Sequence, residues 1–413
     1  MPQGHPYIVR QLEGRLETLF QHFPVVVVSG ARQVGKSTLL EHCFPKLPRV
    51  VFDPVIDIEN ARQDPDLFLA NRKPPVILDE VQYVPELAGA IKRLLEKNRL
   101  PGQYLLTGSQ QWSVMKVLSE SLAGRAAFLD LEGFNLPEIG GIPQKGWLPK
   151  WLEQKDEEHP SFDRVILKRS LFEQLWRGFL PEAQFLPLSL LPDFHGAYQR
   201  TYVERDIRQM AEITDLQLFG RFFRLCGALT AQEINTSQLG RELGVTPQTA
   251  SRWVGLLKAT FQWFEIPAFS GNAVKKTSLK PKGYISDTGM TCFSQAISSP
   301  EAIAGHPLWG ALFETAVIGE IRKQCRLLGT APVLYHWRSH SGAEADLILE
   351  WNGKVFPVEI KAKSNPGRAD LRGLNAFRKT YPHLNIQPGL VLAPVERFFQ
   401  LSDRDYCMPW DAL

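Results

Sequence analysis

The chain has 413 residues, 44% of them hydrophobic and 22% charged, with a mean hydropathy of -0.17 and a formal net charge of +3. These values exclude disordered, collagen-like and membrane-spanning classes and predict two or three globular domains. The charge is too mild to announce a nucleic-acid partner by itself. The longest aliphatic run, Val25 to Val28, falls far short of the roughly 18 residues of a membrane span. The N-terminus MPQGHPYIVRQLEGR lacks the features of a secretory signal, so a cytoplasmic protein without membrane contact is expected. Cys43, Cys226, Cys292, Cys325 and Cys407 are scattered, with no CxxC spacing, and indicate neither a disulfide framework nor a zinc site.

The first chemical signal is FPVVVVSGARQVGKSTLLEHCF, which reads as a β-branched strand, a glycine-bounded loop and a helix start. Gly30, Ala31, Arg32, Gln33, Val34, Gly35, Lys36 and Ser37 match G-x-x-x-x-G-K-[ST], and Thr38 follows on the helix. Glycines there let backbone N–H groups wrap a triphosphate at a helix N-terminus. Lys36 would reach the β- and γ-phosphates of ATP, and the Ser37 hydroxyl would ligate Mg2+. A strand is expected near RVVFD, residues 49–53. PPVILDE then places Asp79 at a strand end, where it would complete the magnesium shell, with Glu80 positioned to polarise water. PGQYLLTGSQ is a further strand closing on Thr107, Gly108 and Ser109, and Ser109 is the candidate γ-phosphate sensor.

This order of motifs resembles the AAA+ branch of P-loop ATPases. The resemblance implies a homo-oligomer, such as a hexameric ring, with active sites shared between subunits. Arg125, in SLAGRAAFLD, is the candidate arginine donated to a neighbour.

Residues 131 to about 200 are rich in proline, glycine and charge, with helices expected near 166–179 and 193–213, and suggest a helical lid. Arg205 and Asp206, in TYVERDIRQM, read as a solvated salt-bridged face. TSQLGRELGVTPQTASRWVGLLKA has helix-turn-helix spacing, interrupted at Gly244 and restarting with Thr246 as N-cap and Pro247 in the first turn. FQWFEIPAF and the following SGNAVKKTSLKPKGYISD suggest a hairpin wing. Gln248, Thr249, Ser251 and Arg252 would face DNA, and the segment from Arg200 to Lys282 carries twelve Lys/Arg against seven Asp/Glu.

Near the C-terminus, AEADLILEWNGKVFPVEIKAK carries Asn352-Gly353, a type I′ hairpin signal. With those two residues as the loop, facing positions sum to 705, so Asp346 faces Glu359 across the ladder, and Lys361 shares their face. Two carboxylates and a lysine so placed would bind magnesium and stabilise a phosphoryl transition state. The pattern resembles the PD-(D/E)xK nuclease superfamily, which implies a further acid at Glu314 on the preceding helix; His336 and Arg338 lie nearby in sequence.

GARQVGKS, ILDEVQ, LLTGSQ, SLAGR, YVERDI, PKGYISDTGM and the EAD and VEIKAK pair together resemble a bacterial and archaeal family of AAA+ ATPases ending in a domain of unknown function with a nuclease-like fold. The α/β organisation expected is an AAA+ core at 1–135, a helical lid at 136–215, a winged helix at 216–295 and a restriction-endonuclease-like domain at 296–413. The function expected is ATP-driven translocation along, or remodelling of, DNA, possible branched substrates included. An ATP-regulated, magnesium-dependent endonuclease and a nucleotide-switched binding module are the alternatives.

Overall fold

A computed structural model describes residues 6–53, 58–109, 122–153, 161–201, 207, 213, 215–271 and 279–413. Arg205, Asp206 and residues 272–278 of the expected wing lie outside the described residues.

Strands β1 (Val25–Ser29), β2 (Arg49–Val51), β3 (Val76–Asp79), β4 (Tyr104–Gly108) and β5 (Ala126–Asp130) form a parallel sheet in the order β2-β3-β4-β1-β5. Both faces of β1 are covered, which is why it reads as an unbroken apolar run. Val25 and Val27 pack with Leu78, Leu106 and Ile91 on one side. Val26 and Val28 pack with Leu16, Leu39 and Leu40 on the other. Strand β4, inserted between β1 and β3, sets Val28 beside Thr107 and Leu78 beside Leu106. The ends of all three strands therefore meet beneath the loop that follows Ser29.

The middle of the chain holds helices Leu216–Ala228, Thr236–Leu243 and Pro247–Ala259 and a three-stranded antiparallel sheet. Its strands β6 (Gln232–Glu233), β7 (Trp263–Ile266) and β8 (Lys282–Ile285) are ordered β6-β8-β7. Gly244 ends the first helix of the turn in the left-handed region, at φ 71°, and Thr246 caps the next by accepting from Thr249 N at 3.1 Å.

The C-terminal sheet has the order β13-β14-β12-β11-β10-β9. Its strands are β9 (Val333–Arg338), β10 (Glu344–Trp351), β11 (Lys354–Ile360), β12 (Gly389–Ala393), β13 (Phe399–Ser402) and β14 (Asp405–Pro409). Asn352 and Gly353 both have positive φ, 49° and 73°, as a type I′ turn requires. Leu347 faces Val358 and Trp351 faces Lys354, the register that the two-residue loop predicts. Helix Trp309–Cys325 covers one face and helix Arg372–Thr380 the other.

The segment expected to be a lid divides its contacts. Around helix Leu191–Thr201, Tyr198 reaches the P-loop backbone at Arg32 O, 3.4 Å away. Helix Trp147–Glu153 instead packs on Trp309–Cys325, where Gln324 Oε1 accepts from Leu148 N at 3.0 Å. Residues 163–165 pair with 411–413: Val165 N donates to Asp411 O at 2.8 Å, Leu413 N to Asp163 O at 2.9 Å, and Arg164 grips the Asp411 carboxylate with two bonds of 2.9 and 2.8 Å. One hydrophobic core accordingly runs from Leu12 through Phe223 to Ala412, across all the expected domain boundaries.

Candidate functional site

The loop after β1 is shaped by its glycines. A Cβ on Gly30 would lie 2.1 Å from Leu131 O, and Gly35 enters helix Lys36–Cys43 at φ 92°. Lys36 is buried, and its Nζ donates to the Gly30 and Ala31 carbonyls at 3.0 and 2.9 Å, which holds the ammonium inside the loop. Ser37 Oγ donates to Asp79 Oδ1 at 3.1 Å, so the two expected magnesium ligands touch. Hard oxygen donors on adjoining elements, at a loop whose N–H groups precede a helix, fit a magnesium-nucleotide complex.

Thr107 on β4, rather than Ser109 just past its end, touches the acid pair. Its Oγ1 bonds Asp79 Oδ1 and accepts from Glu80 N at 2.9 Å. Glu80 is held in the left-handed region, at φ 61° and ψ 45°, an unusual conformation for a residue with a Cβ. Gln82 Nε2 donates to the Glu80 carboxylate and also to Ser109 Oγ at 3.1 Å, so among the described contacts Ser109 meets the acid through Gln82. Arg49 also grips Asp79, with Nε 3.0 Å from Oδ2. The sequence reading did not single out Gln82 or Arg49; a polar residue two positions after the paired acids was the available signal for the former.

Arg125 lies elsewhere. Strands β1 and β5 run parallel with Val25 beside Ala126, so Arg125 is at the end of the sheet opposite the loop that follows Ser29. It sits 3.7 Å from Glu96. It cannot reach the phosphate loop of its own chain.

Beside Gln33, Gly35 and Thr38 is a cavity of about 480 Å³ whose walls include Tyr7, Arg10, Val34, Phe134, Phe185 and Phe194. Arg10 organises it from within the core. Its Nε donates to Glu138 Oε1 at 3.1 Å, Nη1 to Val34 O at 2.9 Å and Nη2 to Glu132 O at 2.8 Å. The Glu132 side chain faces the C-terminal region, bonded to Arg326 at 2.7 Å and paired with Arg322 at 3.2 Å. Burial pushes its carboxyl up, but Arg322 and Arg326 outweigh burial and hold it at about 2. A depressed acid contributes stability above its unfolded pKa, and the contribution is lost as pH falls toward the folded value. Glu132→Gln is therefore expected to cost about 2–3 kcal/mol at pH 7. Thermal melts should show the gap from the parent closing between about pH 4.5 and pH 2.

The acids near the C-terminus gather around an unexpected partner. Lys282 on β8 places its buried Nζ 2.7 Å from Glu314, 3.0 Å from Glu344 and 3.7 Å from Asp346. Tyr284 OH donates to Glu314 at 2.7 Å. Lys361 contacts Glu359 and lies 3.7 Å from Asp346. Burial raises Glu314 to about 7 against the pull of Lys282, and burial with the Asp346 charge raises Glu359 to about 8. Among the described residues no group of three or more His, Cys, Asp or Glu is arranged to hold a metal ion. The expected metal set Glu314, Asp346 and Glu359 is thus occupied by ammonium groups, because Lys282 reaches in from a different sheet. His336 is buried with Nε2 3.0 Å from Lys280 O, and Arg338 is exposed; neither has a bond to the acids among the described contacts.

Residues 22–140 match the family described as AAA domain. Residues 168–301 and 309–413 match two domains of unknown function, DUF8612 and DUF4143. Uncharacterized proteins of Mycobacterium bovis and Mycobacterium tuberculosis are each 27% identical over 406 residues, spanning 98% of this chain and 84% of theirs. A Walker-type ATPase of Pyrococcus abyssi superposes with a TM-score of 0.41 at 16% identity, covering 70% of this chain and 96% of that one, a likeness too distant to carry argument. No described helix is long and apolar enough to cross a membrane. The segment 22–140 is thus similar to AAA domains and carries its glycine-bounded loop on a parallel α/β sheet.

Proposed function

We propose that the chain is a magnesium-dependent ATPase that works on DNA as an oligomer, moving along it or remodelling it. The observation that carries the ATPase reading is the contact of Ser37, beside Lys36 at the start of helix Lys36–Cys43, with Asp79 at the end of β3, where Glu80 follows directly. The aromatic cavity beside Thr38 suits a purine base. Lys36 and the loop amides would hold the β- and γ-phosphates, and Ser37 and Asp79 would hold magnesium, which supplies charge neutralisation on the phosphate oxygens. Glu80, oriented by Gln82 and by Thr107, would accept the proton of the attacking water. The position of Arg125 fits service to a neighbouring subunit rather than to its own.

The DNA reading rests on helix Pro247–Ala259, which leaves Gln248, Ser251 and Arg252 exposed near its start with Thr249 half-buried, in a segment with five more basic than acidic residues. A helix so presented after a short turn, followed by paired strands β7 and β8, is the arrangement of a winged helix. The C-terminal order of helix, three antiparallel strands, helix and parallel strand supports a nuclease-like domain; with its acids paired to lysines, it is suited to holding DNA rather than cutting it. The test is the ATPase rate with and without single-stranded, duplex and junction DNA. A severalfold stimulation that fades with salt is expected. Equal rates with all three and with none would refute DNA action and leave the ATPase standing.

A further inference from the structure

Two cationic side chains rise from the loop between Gly30 and Ser37, those of Arg32 and Lys36. Lys36 folds inward onto the Gly30 and Ala31 carbonyls. Arg32 instead leaves the loop and crosses to the turn that follows the acid pair, where its Nη2 donates to Tyr83 OH at 3.2 Å. Both ends of this span are fixed. The Arg32 carbonyl accepts from Tyr198 OH at 3.4 Å, and Tyr198 OH accepts in turn from Gln262 Nε2 at 3.0 Å. Tyr83 ends the short helical turn Val81–Tyr83 that begins directly after Glu80. Its N–H donates to Glu80 O at 3.2 Å, and its carbonyl accepts from Arg62 Nε and Nη2 at 3.1 and 2.9 Å. The guanidinium of Arg32 therefore bridges the loop that would hold the phosphates and the turn that carries the proton acceptor.

Other arginines are tied to strong acceptors. Arg49 grips Asp79 and Glu41, Arg62 holds the Tyr83 carbonyl, and Arg10 holds Glu138 with the Val34 and Glu132 carbonyls. Arg125 lies at the opposite end of the sheet. The Tyr83 hydroxyl, by contrast, is a neutral acceptor, and a phosphate oxygen outcompetes it because a bond between two charged groups is about twice as strong. Arg32 is half-buried, so exchanging one acceptor for the other asks only for a side-chain rotation. As water adds to the γ-phosphorus and the bond to the β-bridging oxygen breaks, the water proton passes to Glu80 and charge spreads over the γ-phosphoryl oxygens. A planar, permanently charged guanidinium can meet two such oxygens at once.

We propose that Arg32 is a catalytic arginine supplied in cis, which turns from Tyr83 OH to the γ-phosphoryl oxygens and neutralises the charge that develops there. This rests on the ATPase reading and deepens it: each chain carries a transition-state cation of its own, whatever Arg125 of a neighbour adds.

Three measurements on the full chain test it: ATPase kinetics, titration with fluorescent ADP, and binding of MgADP with aluminium fluoride, a mimic of the phosphoryl group in transfer. Arg32→Ala is expected to lower kcat at least ~100-fold. It should weaken the aluminium fluoride complex at least ~10-fold while ADP affinity stays within about twofold, since the contact forms only in the transition state. Arg32→Lys keeps the charge without the fork and should fall between Ala and the parent. Arg32→Gln serves where Ala compromises folding, which circular dichroism monitors. Mixing Arg32→Ala with Glu80→Gln chains should restore no turnover, because no site then has both groups from its own chain. The proposal is overturned by a folded Arg32→Ala that keeps more than about a tenth of the parental kcat. Equal losses of ADP and aluminium fluoride binding overturn it too, as does turnover regained on mixing. A parent that hydrolyses no ATP refutes the ATPase reading itself, whereas an active parent with an active Arg32→Ala refutes the cis arginine alone.

Discussion

Replacing Glu80 with Gln is expected to lower ATP hydrolysis by about 10²–10⁴-fold, the range that a positioned proton acceptor contributes. ATP affinity should stay within about twofold, since uniform binding groups are untouched. Glutamine retains the size of the side chain and its contact with Gln82, but it cannot take the proton of the attacking water. The backbone it stands on is unaltered, because the Glu80 N–H remains bonded to Thr107 Oγ1 at 2.9 Å. Lys36 and Ser37, which would hold the phosphates and metal, belong to a different element. Single-turnover hydrolysis and fluorescent-nucleotide titration separate the two quantities. A variant that keeps more than about a tenth of the parental rate removes Glu80 from the proton-transfer role. One that also loses ATP binding would show that the residue shapes the site instead.

The second large effect is expected at Glu138→Ala. Glu138 and Arg10 are 3% and 5% exposed, and the pair joins the N-terminal segment to the short helix Leu136–Ile139 that follows β5. The same carboxylate accepts from Asn135 N at 3.0 Å and Gln11 N at 2.8 Å. Removing it leaves a buried guanidinium without a carboxylate, held among the described residues by the Val34 and Glu132 carbonyls and the face of Phe134. Loss of one partner of a buried pair costs about 3–5 kcal/mol, and melting should show a drop of that order. ATP should also bind more weakly, since Arg10 ties Val34 of the phosphate loop to the wall of the aromatic cavity. Glu138→Gln, which keeps an acceptor for the two amides, should fall between Ala and the parent. A change below about 1 kcal/mol for Glu138→Ala would reduce the pair to a surface-like contact.

The residues legible in the sequence are those whose chemistry is local. GARQVGKS announces its own loop, PVILDE ends a strand on two acids, and Asn352-Gly353 determines a register that places Leu347 against Val358. The missing parts are long-range. Lys282 and Glu344 are separated by 62 positions and meet only because β8 and β10 belong to sheets packed together. PKGYISD was recognisable as a motif without a role, since nothing in its own spacing says which acids its lysine will find. Helix Trp147–Glu153 was not expected, because it lies in a stretch rich in proline, glycine and charge that reads as a connector, and its apolar face finds its partner only in the distant helix Trp309–Cys325. Ser109 was the candidate at the end of LLTGSQ; Thr107, two residues earlier and so on the same side, is the one bonded to Asp79 and to Glu80 N, a contact that spacing alone does not reveal.

The pairing of residues 163–165 with 411–413 also bears on how the molecule is made. About 250 residues of synthesis separate the two strips, on the order of 10–50 s at ribosomal speed. The five-stranded parallel sheet, complete once β5 has emerged, can form during that interval. Helix Trp147–Glu153 and the strip after it cannot, because the surfaces that bury Trp147 and Trp151 have not yet been translated. A nascent chain therefore passes through a stage with a finished parallel sheet and an exposed tryptophan-bearing helix. Chaperone capture and proteolysis of ribosome-bound intermediates should concentrate on that stretch, and both should cease once residues 411–413 leave the exit tunnel.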